Sequence, residues 1–123
     1  MFRQRRVLVV DDQDSVRQAI VDQLALIGIE ARTARNGREA LQLCEGACDF
    51  DAVLADVVMP EIGGVELARR LKEMRPDLPV VLMTGHESQV DGVIDFGSVT
   101  LVKPFSSLSL RQIIEEALAN RSD

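Results

Sequence analysis

Val7-Leu8-Val9-Val10-Asp11-Asp12 is a run of four apolar residues that stops on two carboxylates. Two further runs also end on a charge, Ala52-Val53-Leu54-Ala55 on Asp56 and Val99-Thr100-Leu101-Val102 on Lys103. A fourth, Val80-Val81-Leu82-Met83, ends on Thr84. If the four are parallel strands of one sheet, their ends converge on one edge. Three carboxylates, a hydroxyl and an ammonium then meet there, a set suited to a divalent cation and a phosphoryl group.

The segments between these runs have helical spacing. Val16, Ile20, Leu24 and Ile27 predict a helix over about Ser15 to Ile27, with Gly28 where a C-cap belongs. Ile29 to Ala34 alternates as an edge strand does. Asn36-Gly37-Arg38-Glu39 predicts a short second helix, capped by Asn36 with Glu39 reaching back, and with Ala40, Leu41 and Cys44 as its apolar face. Gly63-Gly64 opens a third, whose stripe Leu67, Ala68, Leu71 and Met74 ends before Pro76. A last helix starts near Ser106-Ser107, burying Leu110, Ile113, Ile114, Ala117 and Leu118, and Asn120 to Asp123 is expected to fray. Glu87 to Phe96 carries Val90, Val93 and Ile94 at helical spacing, but Gly92 interrupts it and Gly97 closes it, so any helix there is short.

Strands alternating with helices specify an α/β fold with a parallel sheet. Right-handed crossovers leave few topologies. In a doubly wound sheet of strand order 2-1-3-4-5, ligands bind at the carboxyl ends where the winding reverses, between the first and third strands. Those are the strands that end in Asp11-Asp12 and Asp56.

Composition bounds the function. A chain of 123 residues is long enough to fold as one domain without disulfides or structural metal. No apolar stretch approaches the roughly 20 residues of a membrane span, and the charged N-terminus leads into an apolar run too short for a secretory signal, so a cytoplasmic protein is expected. The net charge of −6 argues against adhesion to nucleic acid or to an anionic membrane. Cys44 and Cys48 have no second pair and a single histidine in the chain, His86, so a zinc site is not expected. Cys44 reads as a small core residue and Cys48 as a loop residue.

Close carboxylates repel and favour protonation unless a cation offsets them. An all-oxygen, solvent-facing site suits magnesium better than zinc. One carboxylate oxygen can then attack a phosphoryl group in line, with a lysine and a hydroxyl on its equatorial oxygens.

Five pieces in register, namely Val9-Val10-Asp11-Asp12, Asp56-Val57-Val58-Met59-Pro60 with Gly63-Gly64, Met83-Thr84-Gly85, and Leu101-Val102-Lys103-Pro104-Phe105, resemble the receiver domain of two-component response regulators. The resemblance covers essentially the whole chain and implies a single-domain, flavodoxin-like five-stranded fold over residues 1–123, with its core at about 5–119; the sequence itself shows no DNA-binding helix pair or catalytic segment, so no output domain is expected. It implies that Asp56 accepts a phosphoryl group from a sensor histidine kinase or histidine phosphotransfer protein and passes the signal to a downstream protein. Asp12, Asp56 and the carbonyl of Val58 would bind Mg2+, or Mn2+, with Asp11 acting largely through water. Thr84 would donate its hydroxyl and Lys103 would pair with the phosphoryl group. Gly85 would leave room and lend its amide, and Lys103-Pro104 looks like the family's cis peptide. The reaction is self-phosphorylation with slow self-hydrolysis, on the border of what counts as an enzyme.

Two departures concern signalling. Thr100 stands where the family carries a switch aromatic, and a β-branched hydroxyl residue cannot swing as a bulky ring does. With the short segment from Glu87 to Gly97, this resembles receivers of hybrid kinases or receivers that stand alone. His86, two residues after Thr84, reads either as a solvated loop residue or as one that controls water access to the phosphoryl group. Phe105 reads as core packing. Two other functions stay open. Asp12-Gln13-Asp14-Ser15-Val16 fits the opening D-x-D-x-[TV] pattern of haloacid-dehalogenase-type phosphatases, with Asp12 as nucleophile and Asp14 as acid, although the acidic pair that family needs after its lysine has no good match. An unphosphorylated docking pseudo-receiver is the other.

Overall fold

Strands that are buried on both faces need helices on both sides, and the chain supplies them. The computed structural model describes residues 4–46, 49–85 and 99–119. Its elements are β1 (Arg6–Val10), α1 (Asp14–Leu26), β2 (Glu30–Ala34), α2 (Gly37–Cys44), β3 (Ala52–Asp56), α3 (Gly64–Met74), β4 (Val80–Thr84), β5 (Val99–Val102) and α4 (Ser107–Ala119). The five strands form one parallel sheet in the order β2-β1-β3-β4-β5. The expected strand order and all four charged or hydroxyl-bearing strand ends are therefore found. His86, the weak helix expected over Glu87 to Phe96, Gly97, Cys48 and Asn120 to Asp123 lie outside the described residues.

Alternate residues of the central strands face two apolar layers. Leu8, Val10, Val53, Ala55 and Leu82 pack against Ala40 and Cys44 of α2 and Leu67, Ala68 and Leu71 of α3. Val7, Val9, Leu54, Val81 and Met83 pack against Ile20 and Leu24 of α1 and Leu110, Ile114 and Ala117 of α4. This double burial is why these strands read as continuous apolar runs. Among the described residues no helix is long and apolar enough to cross a membrane.

Local signals placed the helix ends well. Gly28 has φ +79, the left-handed conformation that a glycine C-cap supplies, and its N–H donates to the Ala25 carbonyl at 3.1 Å. The Asn36 side chain accepts from the Glu39 N–H at 2.8 Å, while the Glu39 carboxylate accepts from the Arg35 N–H at 3.3 Å, one residue before the cap. Six positions on the expected apolar faces are wetter than their spacing implied. Met74 is exposed, and Val16, Ile27, Leu41, Ile113 and Leu118 are only partly buried, because each lies at the margin of its helix's apolar stripe. Phe105 packs against the α1 and α4 layer, as expected.

The amino end of the sheet is closed by a carboxylate that the patterning did not flag. Asp51, just before β3, is fully buried and accepts from the Arg6 N–H at 2.8 Å, while its own N–H donates to the Arg6 carbonyl at 2.7 Å. The Arg6 guanidinium pairs with Glu30 of β2 at 3.0 Å and lies over the Phe50 ring. These contacts join the starts of β1, β2 and β3 at the end remote from Asp56.

Candidate functional site

β1 runs beyond its last apolar residue, with the Asp11 N–H donating to the Ala34 carbonyl at 3.2 Å. This carries the Asp11 side chain into the interior, where it is fully buried and its Oδ1 accepts from the Gln13 N–H at 2.9 Å. Asp12 follows at the surface. β3 is likewise extended by the Val57 N–H donating to the Met83 carbonyl at 2.9 Å, which leaves Asp56 half-buried at the sheet edge, its Oδ1 accepting from the Val58 N–H at 3.3 Å. The Lys103 N–H donates to the Thr84 carbonyl at 2.7 Å, so β5 delivers the lysine beside the end of β4. The Lys103-Pro104 peptide is cis.

The structure brings these ends together. Asp11, Asp12 and Asp56 each offer a carboxylate oxygen, and the three oxygens lie within 4.8 Å of one another. The Lys103 ammonium stands between two of them, 3.4 Å from Asp11 Oδ2 and 3.2 Å from Asp56 Oδ2. Thr84 is fully buried at the end of β4, and Gly85 follows it at the surface, with no atom of the described residues within 4 Å of where a side chain would begin. Val58 is exposed next to Asp56. A hard, all-oxygen donor set with one partial counter-charge fits Mg2+ in its chemistry.

Burial pushes the Asp11 carboxyl above its ordinary value, with the Asp56 charge adding to the rise, while the Gln13 N–H and Lys103 pull it down. A carboxyl raised in the folded state binds its proton more tightly there than in the unfolded chain, so the contribution of Asp11 to metal-free stability falls as pH rises from about 3.8 through the raised value and is flat above it. Asp11→Asn removes the buried charge and keeps an acceptor for Gln13. It is expected to stabilise the metal-free protein at neutral pH by about 1 kcal/mol, read as a higher urea midpoint, and to weaken the response of that midpoint to Mg2+.

The two glycines read as a helix opening have a more demanding reason. A Cβ on Gly64 would stand 2.3 Å from the Asp56 carbonyl oxygen and 2.9 Å from Val57 Cα, and one on Gly63 would stand 2.9 Å from the Val57 oxygen. The Gly64 N–H donates to the Val57 carbonyl at 2.9 Å. The first turn of α3 is thus pressed against the backbone that carries Asp56. Arg17 of α1 was also missed. Its guanidinium donates to the Asp11 carbonyl at 2.6 Å and pairs with Asp14, so Asp14, the acid of the phosphatase alternative, is occupied at the surface.

The family model described as the response regulator receiver domain matches residues 7–115. The chain belongs to that family. Among curated relatives of this receiver domain, response regulator MprA of Mycolicibacterium vanbaalenii is 39% identical over 118 residues, which are 93% of this chain and 47% of that protein. A receiver domain protein from Clostridium thermocellum superposes with a TM-score of 0.88 at 28% identity, covering 94% of each chain. Response regulator TrrA from Thermotoga maritima, solved in complex with Mg(2+)-BeF, superposes with a TM-score of 0.85 at 30% identity, covering 94% of this chain and all of that one. The receiver domain spans less than half the length of the curated relatives it matches.

Proposed function

We propose that this receiver domain takes a phosphoryl group onto Asp56 from a phosphohistidine of a sensor histidine kinase or histidine phosphotransfer protein, in a Mg2+-dependent reaction, and signals by a conformational change. The observation that carries this reading is the Lys103 ammonium shared between Asp11 and Asp56 at the strand ends. It marks Asp56 as the half-buried carboxylate that is both reachable and paired with a cation, whereas Asp11 is sealed.

In the proposed step an Asp56 carboxylate oxygen attacks phosphorus in line. The O–P bond forms as the N–P bond of the phosphohistidine breaks, and the imidazole leaves with the electron pair and takes a proton. Asp12, Asp56 and the Val58 carbonyl would hold the Mg2+, with Asp11 acting through water, and Mn2+ would accept the same donors. The ion supplies neutralisation of charge on the phosphoryl oxygens. Lys103 then exchanges its hold on the Asp56 carboxylate for the phosphoryl group, Thr84 donates its hydroxyl to it, and Gly85 lends its amide. Slow hydrolysis of the acyl phosphate returns the domain to its starting state. The Mg(2+)-BeF in the similar TrrA supports this assignment, since beryllium fluoride resembles a phosphoryl group in shape and charge.

Next to Lys103, a groove of about 560 Å³ runs along α1, lined by Val16, Ala19, Ile20, Pro104 and Phe105 among others, and offers a phosphodonor a surface beside the site. The acidic balance that argued against nucleic acid concerns these 123 residues alone, and the curated relatives that carry transcriptional names are much longer.

Incubation with acetyl phosphate and Mg2+ tests the reading. An acid-stable, base-labile adduct is expected, requiring Mg2+, absent in Asp56→Asn and retained by Asp12→Asn at high Mg2+. Steady turnover of phosphate esters would point to phosphatase chemistry instead, and no adduct at all to a docking module.

A further inference from the structure

Three carboxylates that share an ion must be held against their own repulsion, and they are held unequally. Asp11 is pinned by the Gln13 N–H and Lys103, and Asp56 by the Val58 N–H and Lys103. Among the described residues no hydrogen bond or ion pair holds the exposed Asp12 carboxylate, so its direction is set by its backbone.

That backbone has a side-chain anchor on each side: the Asp11 carboxylate holds the Gln13 N–H after Asp12, and Arg17 holds the peptide before it. The Asp11 carbonyl belongs to the planar peptide that ends on the Asp12 Cα, so holding its oxygen restrains that plane and the point from which the Asp12 side chain projects. The Arg17 guanidinium does this at 2.6 Å. Arg17 is itself well placed to act as an anchor. Its side chain is only 12% exposed, its N–H donates to the Gln13 carbonyl at 3.1 Å, and Asp14 grips the other side of its fork. A planar guanidinium can hold a carbonyl and a carboxylate at once, which a lysine ammonium on a single stem does poorly.

We infer that Arg17 is a positioning residue for the divalent ion: through the Asp11 carbonyl it holds the β1 to α1 turn so that Asp12 faces Asp56. The inference rests on the metal reading proposed above, and it makes no use of Arg17 charge. The two effects have opposite signs. As a mere cation beside a cation site, Arg17 would oppose Mg2+, so its removal would tighten binding. As an anchor, its removal weakens binding.

The test is titration of the purified, metal-free protein with Mg2+ by calorimetry, on wild type, Arg17→Lys and Arg17→Met, with urea midpoints confirming that each variant is folded. Arg17→Lys keeps the charge, so any loss is geometric, and a Kd for Mg2+ about threefold higher is expected. Arg17→Met is expected to raise it about tenfold. In acetyl phosphate labelling the Mg2+ concentration needed for half-maximal rate rises in parallel, while the rate at saturating Mg2+ stays within about twofold of wild type. A Kd unchanged in Arg17→Lys, or lowered in Arg17→Met, overturns the positioning role and leaves the metal reading intact. Wild type that takes up no Mg2+ overturns both.

Discussion

Lys103→Met slows labelling by acetyl phosphate by about two to three orders of magnitude while leaving Mg2+ binding at least as tight as in wild type. The split comes from charge. Lys103 is 3.4 Å from Asp11 Oδ2 and 3.2 Å from Asp56 Oδ2, and its removal leaves the three clustered carboxylates a stronger site for a dication. The same removal takes away the ammonium that is proposed to receive the phosphoryl group. Buried Asp11 also loses its counter-ion, and the metal-free protein is expected to lose about 1–2 kcal/mol of stability. Calorimetry with Mg2+ and labelling rates at saturating Mg2+ check the split. A variant that loses both in proportion would show that Lys103 only organises the strand ends.

Gly64→Ala is expected to cost about 3 kcal/mol and to lower Mg2+ affinity and labelling together. Alanine is the better helix former by about 1 kcal/mol, so propensity alone predicts a gain at this helix start. The clash outweighs it, because the atom 2.3 Å from the new methyl is the Asp56 carbonyl oxygen, a backbone atom that cannot swing aside. Relief requires α3 to move outward or the Asp56 loop to move with it. Gly85→Ala is the contrasting case. Among the described residues nothing lies within 4 Å of a Cβ there, so its urea midpoint should match wild type within about 0.5 kcal/mol, and only the labelling rate falls. Urea unfolding of the two variants beside wild type decides the comparison, and equal midpoints for all three would contradict the packing argument at Gly64.

Strand ends were legible in the sequence because burial on both faces leaves an apolar run with no internal break, and the first charge or hydroxyl then marks the sheet edge. Asp11, Asp56, Thr84 and Lys103 were found this way, and the topology that brings them together follows from the alternation of strands and helices. Gly28 and Asn36 were legible because a cap acts within a few residues of itself. What depends on an approach between distant segments was not. Gly64 reads locally as a helix opening, yet its smallness is required by the backbone of Asp56. Arg17 sits beside Val16 on α1 as an ordinary polar residue, and only the path of the chain after β1 brings the Asp11 carbonyl within its reach. Asp51 carries no local sign that it is buried, since its partner is the backbone of Arg6 on another strand. Glu61 shows the same limit. Its φ of 65° is uncommon for a residue with a side chain and is set by the loop that carries the chain from Asp56 to Gly64.

Whether Asp56 is the phosphoacceptor is decided by peptide mapping with mass spectrometry after brief treatment with acetyl phosphate and Mg2+. One added phosphoryl group is expected, carried by the peptide that contains Asp56, absent without Mg2+ and absent in Asp56→Asn. A phosphoryl group on the peptide that contains Asp12, or no modification of wild-type protein at saturating Mg2+, would contradict it.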